Sequence, residues 1–125
     1  MTTNDRYDQG MRKLAEIDGK AGEEVVAPLG ALGRYIIEFA FGDIYSRGVL
    51  SLRDREIATV AMLAALGGRD KQLRVHIGAA LNVGLSMAEI EETILHTVPY
   101  AGFPTAINAM AVLKEFGPLP SAQAG

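Results

Sequence analysis

The chain has 125 residues, of which 49% are hydrophobic, with five methionines, no tryptophan and no cysteine. Its formal charge of −3, with basic residues scattered singly, lacks the positive surface that a phosphate backbone demands, so a nucleic-acid partner is not expected. The missing cysteines exclude disulfides, thiolate metal sites and dithiol redox chemistry.

That length suits one domain, placed at 1–117 with a disordered tail at 118–125. An alanine-rich apolar fraction favours closely packed helices over a sheet, so the expected class is all-α. The opening MTTNDRYDQGMRKL is polar, and no apolar run reaches the ~20 residues of a membrane span. A cytoplasmic, soluble protein without a membrane partner is expected.

Asn4 or Asp5 can cap a first helix reaching Ile17, with Asp18-Gly19 as its stop. The next segment, from GEEVV, begins helically and is interrupted at Pro28, after which Leu32, Tyr35, Ile36, Phe39, Ala40 and Ile44 recur at helical spacing and predict an apolar helix over 30–46. Asp43, Tyr45 and Arg47 fall near its end, where Asp43 reads as a capping or solvated residue. Ser51 and Asp54 have the form of a capping box opening a third helix that Gly67-Gly68 closes. Asp70 can cap a fourth helix ending at Gly84, and Ser86 with Glu89 repeats the capping-box form for a fifth. Pro99 should break or kink that fifth helix, and 104–115 reads as the last before Gly117-Pro118. No alternating run predicts a strand, so five to six helices are expected.

His76 shares a helical stripe with Leu73, Ile77, Ala80 and Val83, so it faces the packed side of its helix. It reads either as a hydrogen-bonded core residue or as a proton-transfer group. Glu56 follows Arg55 at the start of an apolar helix. The pair is either an exposed first-turn pair or a buried carboxylate that needs Arg55, His76 or another subunit as partner. His96 lies one helix further on, but neither histidine has the i,i+4 histidine or acidic cluster that marks a ligand set, so no metal is expected. Pro99 and Pro104 bracket a small-residue turn carrying Tyr100 and Phe103, which can line a pocket or bring two helices together.

Taken in order, RYDQGM, FAFGDIYSRGVLSLRDREIATVAMLAALG and LRVHIGAALNVGLSMAEIEETILHTVPYAGFPTAINA resemble the carboxymuconolactone decarboxylase family, which includes the alkylhydroperoxidase D-like proteins. The resemblance covers most of the chain. It implies an all-helical fold, assembly as a homo-trimer or homo-hexamer with active sites near subunit interfaces, and a small-molecule substrate. It places His76 at the family's active-site histidine. In the peroxidase branch two cysteines precede that histidine. Arg69 and Gln72 stand there instead, which removes dithiol peroxide reduction by the family route.

The decarboxylase branch, which works without a cofactor, is the nearer one through RYDQGM, GDIYSR and HIGAALNVGLS. On that resemblance His76 donates the proton, Arg55 or Arg47 holds a lactone oxygen or carboxylate, and Glu56 orients a partner. Tyr45, His96 and Tyr100 join Arg47 as substrate-binding candidates. Two departures from the decarboxylases stand out. Gly78 occupies a position where the resemblance implies a cation, and Glu56 one where it implies serine, so the substrate is expected to differ. The competing readings are a non-catalytic oligomeric helical module, in which His76, Glu56 and His96 form a structural polar network, and a reductase using external thiols.

Overall fold

In the computed structural model the described residues are 3–123. All their regular structure is helical, and no strand occurs among them. There are eight helices rather than the expected five to six: α1 (Thr3–Asp18), α2 (Gly22–Leu29), α3 (Ala31–Ile44), α4 (Leu52–Leu66), α5 (Asp70–Asn82), α6 (Met87–Ala101), α7 (Phe103–Lys114) and α8 (Pro120–Gln123). The extra two are α2, wound partly as a π-helix and partly as a 3₁₀ turn around Pro28, and the short α8. Neither carries the 3.6-residue apolar repeat from which a helix is read in a sequence. No single helix among the described residues is long and apolar enough to cross a membrane. The chain divides into two compact units, one through Leu52 and the other from Arg53.

In the first unit α1 packs along α3. The approach is main chain against main chain: a Cβ on Gly10 would lie 2.0 Å from the carbonyl oxygen of Ile37, a distance no side chain tolerates. From Ile36 to Ile44 α3 is wound as a π-helix, closed by the Tyr45 N–H on the Ala40 carbonyl at 2.8 Å. Polar clamps fix the same pairing. Arg6 holds Asp43 through two hydrogen bonds of 3.1 and 2.7 Å, so Asp43 is an anchor between helices and not merely a solvated cap. The buried carboxylate of Glu38 accepts from Arg34 at 2.7 Å and faces Arg6 at 3.6 Å. Asn4, a candidate cap of α1, lies outside the residues whose side chains are described.

The second unit is built on an aliphatic core. Val60 and Ala64 of α4 meet Leu73, Ile77 and Ala80 of α5, Ile90 and Ile94 of α6, and Ala109, Val112 and Leu113 of α7. The helix starts follow sequence rules unevenly. Ser86 and Glu89 form a complete capping box: the Glu89 N–H donates to Ser86 Oγ at 3.1 Å, and the Ser86 N–H donates to Glu89 at 2.9 Å. Asp70, by contrast, is the first helical residue of α5. The cap position falls on Arg69, which offers no side-chain cap and instead donates to the Gly67 carbonyl at 2.9 Å. Pro99 does not break α6, which runs on to Ala101. Termination comes at Gly102, whose φ of +92° is open to glycine without strain, and α7 starts immediately beyond it. Within the expected tail, α8 is tied to α6. Ser121 donates its N–H and hydroxyl to the buried Glu91 carboxylate at 3.1 and 2.5 Å.

Candidate functional site

The apolar stripe of α5 buries Leu73, Ile77 and Ala80, and this fixes which way His76 turns. Its imidazole leaves the core edge partly open, with 21% of the side chain exposed, and Nδ1 lies 3.0 Å from Oε2 of Glu56. Glu56 projects from the first two turns of α4 and is fully buried, so the alternative of an exposed Arg55–Glu56 pair is not what the fold adopts.

A carboxylate only accepts hydrogen bonds. With the carboxylate as acceptor, Nδ1 is the donor of this contact. The other carboxylate oxygen, Oε1, is buried and has no hydrogen-bond partner among the described residues. An oxygen taken from water without a partner is costly, by about 1–3 kcal/mol, and such costs persist where a site is built for something other than stability. The pair is thus an imidazole joined through Nδ1 to a buried carboxylate, its ring partly exposed.

The remaining sequence candidates are distributed differently. Arg55 adjoins Glu56 on α4 and is half-buried. His96 and Tyr100 lie on the exposed side of α6 with ring centroids 6.2 Å apart. His96 lines a cleft of about 350 Å³ with Ile57, Ala61, Glu89, Glu92 and Thr93, and this cleft includes neither His76 nor Glu56. Among the described residues His76, Glu56 and His96 do not form one hydrogen-bonded set: Glu56 pairs with His76, and His96 stands apart from both. Tyr45 and Arg47 follow α3 in the first unit, where the Tyr45 ring packs on Phe41 with centroids 4.9 Å apart. No group of three or more histidine, cysteine or acidic side chains suited to a metal ion occurs among the described residues.

Gly78 lies two residues after His76, and a Cβ built on it would meet the Phe116 ring at 3.7 Å, an ordinary contact. The position therefore has room for a Cβ and lacks one. Two buried carboxylates escaped the sequence reading, Glu38 and Glu91. Glu38 had a signal, Arg34 four residues earlier, but that spacing suggests pairing and says nothing of burial. Glu91 had none, because its partner lies 30 residues away.

The geometry is that of an all-helical fold that holds a buried carboxylate against a partly exposed imidazole. The comparison with known families is more specific: the pattern of the carboxymuconolactone decarboxylase family matches residues 30–115, and the chain belongs to that family. It is 35% identical over 122 residues to the 4-carboxymuconolactone decarboxylase of Acinetobacter baylyi, covering 92% of this chain and 89% of the relative. It is 28% identical over 115 residues to the nitrosuccinic acid decarboxylase of Metarhizium robertsii, covering 87% and 79%. An uncharacterised 15.0 kDa protein of Paracoccus denitrificans is also 28% identical, over 103 residues.

Proposed function

We propose that the protein is a cofactor-independent decarboxylase of a small carboxylated molecule, a lactone or a related acid, with His76 as the acid that protonates the carbon left by CO2. The observation that carries this reading is the 3.0 Å contact between His76 Nδ1 and the fully buried Glu56. The names of two relatives, both decarboxylases, support it. Loss of CO2 leaves an electron pair on carbon. That pair must delocalise into the substrate and then be met by a proton. His76 delivers the proton from Nε2, Glu56 holds the ring and offsets the imidazolium charge, and Arg55 faces the developing oxyanion or a second carboxylate. A substrate-binding role for Arg47, Tyr45, His96 and Tyr100 is proposed on the family resemblance alone.

Self-association as a trimer or hexamer belongs to the same proposal. It is supported by large apolar side chains left in water in each unit, Leu32, Tyr35 and Phe39 on α3 and Leu95, Phe103 and Ile107 on α6 and α7.

The test is release of CO2 from 4-carboxymuconolactone and from nitrosuccinate by the purified protein and by His76→Gln. Turnover of either acid that falls by at least about a hundredfold in the variant is expected. Equal turnover by both proteins removes His76 from the reaction.

A further inference from the structure

If His76 delivers a proton to a carbanion, the same nitrogen must be able to remove one from the matching carbon acid. We infer that the Glu56–His76 pair catalyses hydrogen exchange on carbon acids that carry both a carboxylate and a strong electron acceptor, with nitroalkane carboxylates as the class best suited to show it. This inference rests on the decarboxylase reading and adds an activity in which no CO2 is lost.

Two observations carry it. Nδ1 is committed to the Glu56 carboxylate, so neutral His76 presents a lone pair at Nε2, the arrangement of a base. Glu56 is fully buried and Nε2 has no hydrogen-bond partner among the described residues, so the base is held by the fold and is not engaged by it. The electron pair released when the C–H bond breaks needs an acceptor, and in the inferred step the substrate supplies it. A nitro group meets that requirement, and the relative from Metarhizium robertsii is named for a nitro acid.

The step balances within the substrate and the ring. Nε2 takes the proton from the carbon beside the nitro group. The C–H bond breaks, an N–H bond forms, and the electron pair moves onto a nitro oxygen as a nitronate. The imidazolium trades its proton for a deuteron from the solvent and returns the deuteron to the same carbon, closing a C–D bond and restoring the nitro group. Nothing is oxidised or reduced, and the protein ends as it began.

The experiment uses 3-nitropropanoate in buffered D2O, following the proton signal of the methylene next to the nitro group by NMR. The native protein is compared with His76→Gln and Glu56→Gln, each checked for helical content. CO2 release from nitrosuccinate and 4-carboxymuconolactone is measured on the same preparations. The expected result is saturable exchange about a hundredfold above buffer, lost in His76→Gln and slowed at least about tenfold in Glu56→Gln. In the native protein, ¹⁵N shifts should place the ring proton of His76 on Nδ1. Exchange that is the same in His76→Gln as in the native protein overturns the inference. Exchange no faster than buffer, from a preparation that does release CO2, overturns it and leaves the decarboxylase standing. Absence of both overturns the two together. Exchange without CO2 release upholds the inference and refutes the decarboxylase.

Discussion

Replacing His76 with leucine should do more than stop proton transfer, because it strands the carboxylate of Glu56. That carboxylate is completely buried, one of its oxygens already lacks a hydrogen bond, and its other oxygen has His76 Nδ1 at 3.0 Å. Removing one member of a buried pair costs about 3–5 kcal/mol, since the survivor stays desolvated and uncompensated. A chain of this length has a total stability of roughly 6–19 kcal/mol at 0.05–0.15 kcal/mol per residue, so the loss is a substantial share of it. With a urea dependence of about 1.5 kcal/mol per molar, the unfolding midpoint of His76→Leu should fall by about 2 M or more. The second substitution carries the argument. Glu56→Met in the His76→Leu background removes the stranded charge and should recover most of the lost stability, because an apolar pair of similar volume replaces the buried polar one. A His76→Leu midpoint within about 0.3 M of the parent, with no recovery in the double variant, would refute the claim that Glu56 depends on this ring.

Two further outcomes are expected. Backbone hydrogen bonding from Ser86, and then Arg53, holds the Glu89 carboxyl below its usual range, and the Arg74 guanidinium does the same for Glu115. Both groups bind protons less readily folded than unfolded, so the stability they add is present above the ordinary carboxylate pKa of about 4.3 and is lost as pH falls through the lower folded values. Melting curves from pH 6 to 3 should show a decline that is shallower in Glu89→Gln; identical slopes would contradict the assignment. Ser121→Ala removes the hydroxyl that donates to Glu91 at 2.5 Å and should cost about 1–3 kcal/mol by chemical denaturation, whereas a change within 0.5 kcal/mol would show that the α8 contact is dispensable.

Much of the second unit was legible in the sequence because its signals are local. The Ser86–Glu89 box, the stripe through Leu73, Ile77 and Ala80, and the glycine stops each involve residues within one or two turns. His76 could be placed on the packed side of its helix for the same reason. What could not be read was which partner Glu56 takes, since its helix is apolar nearly all round and His76 lies 20 residues away. The cap of α5 was misplaced by one residue because Asp70 has the right side chain, while Arg69 has the non-helical backbone that defines the position. Pro99 was expected to break or kink α6, and the break does not occur, since α6 reaches Ala101 with Ile90 and Ile94 packed in the core. α2 was legible only as a helical start interrupted at Pro28, because its winding departs from the α-helical period, and the Arg6–Asp43 anchor went unseen because it spans 37 positions.

The tie between Glu91 and Ser121 also has a temporal side. When the ribosome has just completed α6, the groups that will receive the Glu91 carboxylate have not yet been made, for they lie thirty residues further along. At about 5–20 residues per second the nascent helix waits some seconds for them. Until residue 121 has been added Glu91 lacks both of these donors, so this tie can form only after α6 and α7 have been made.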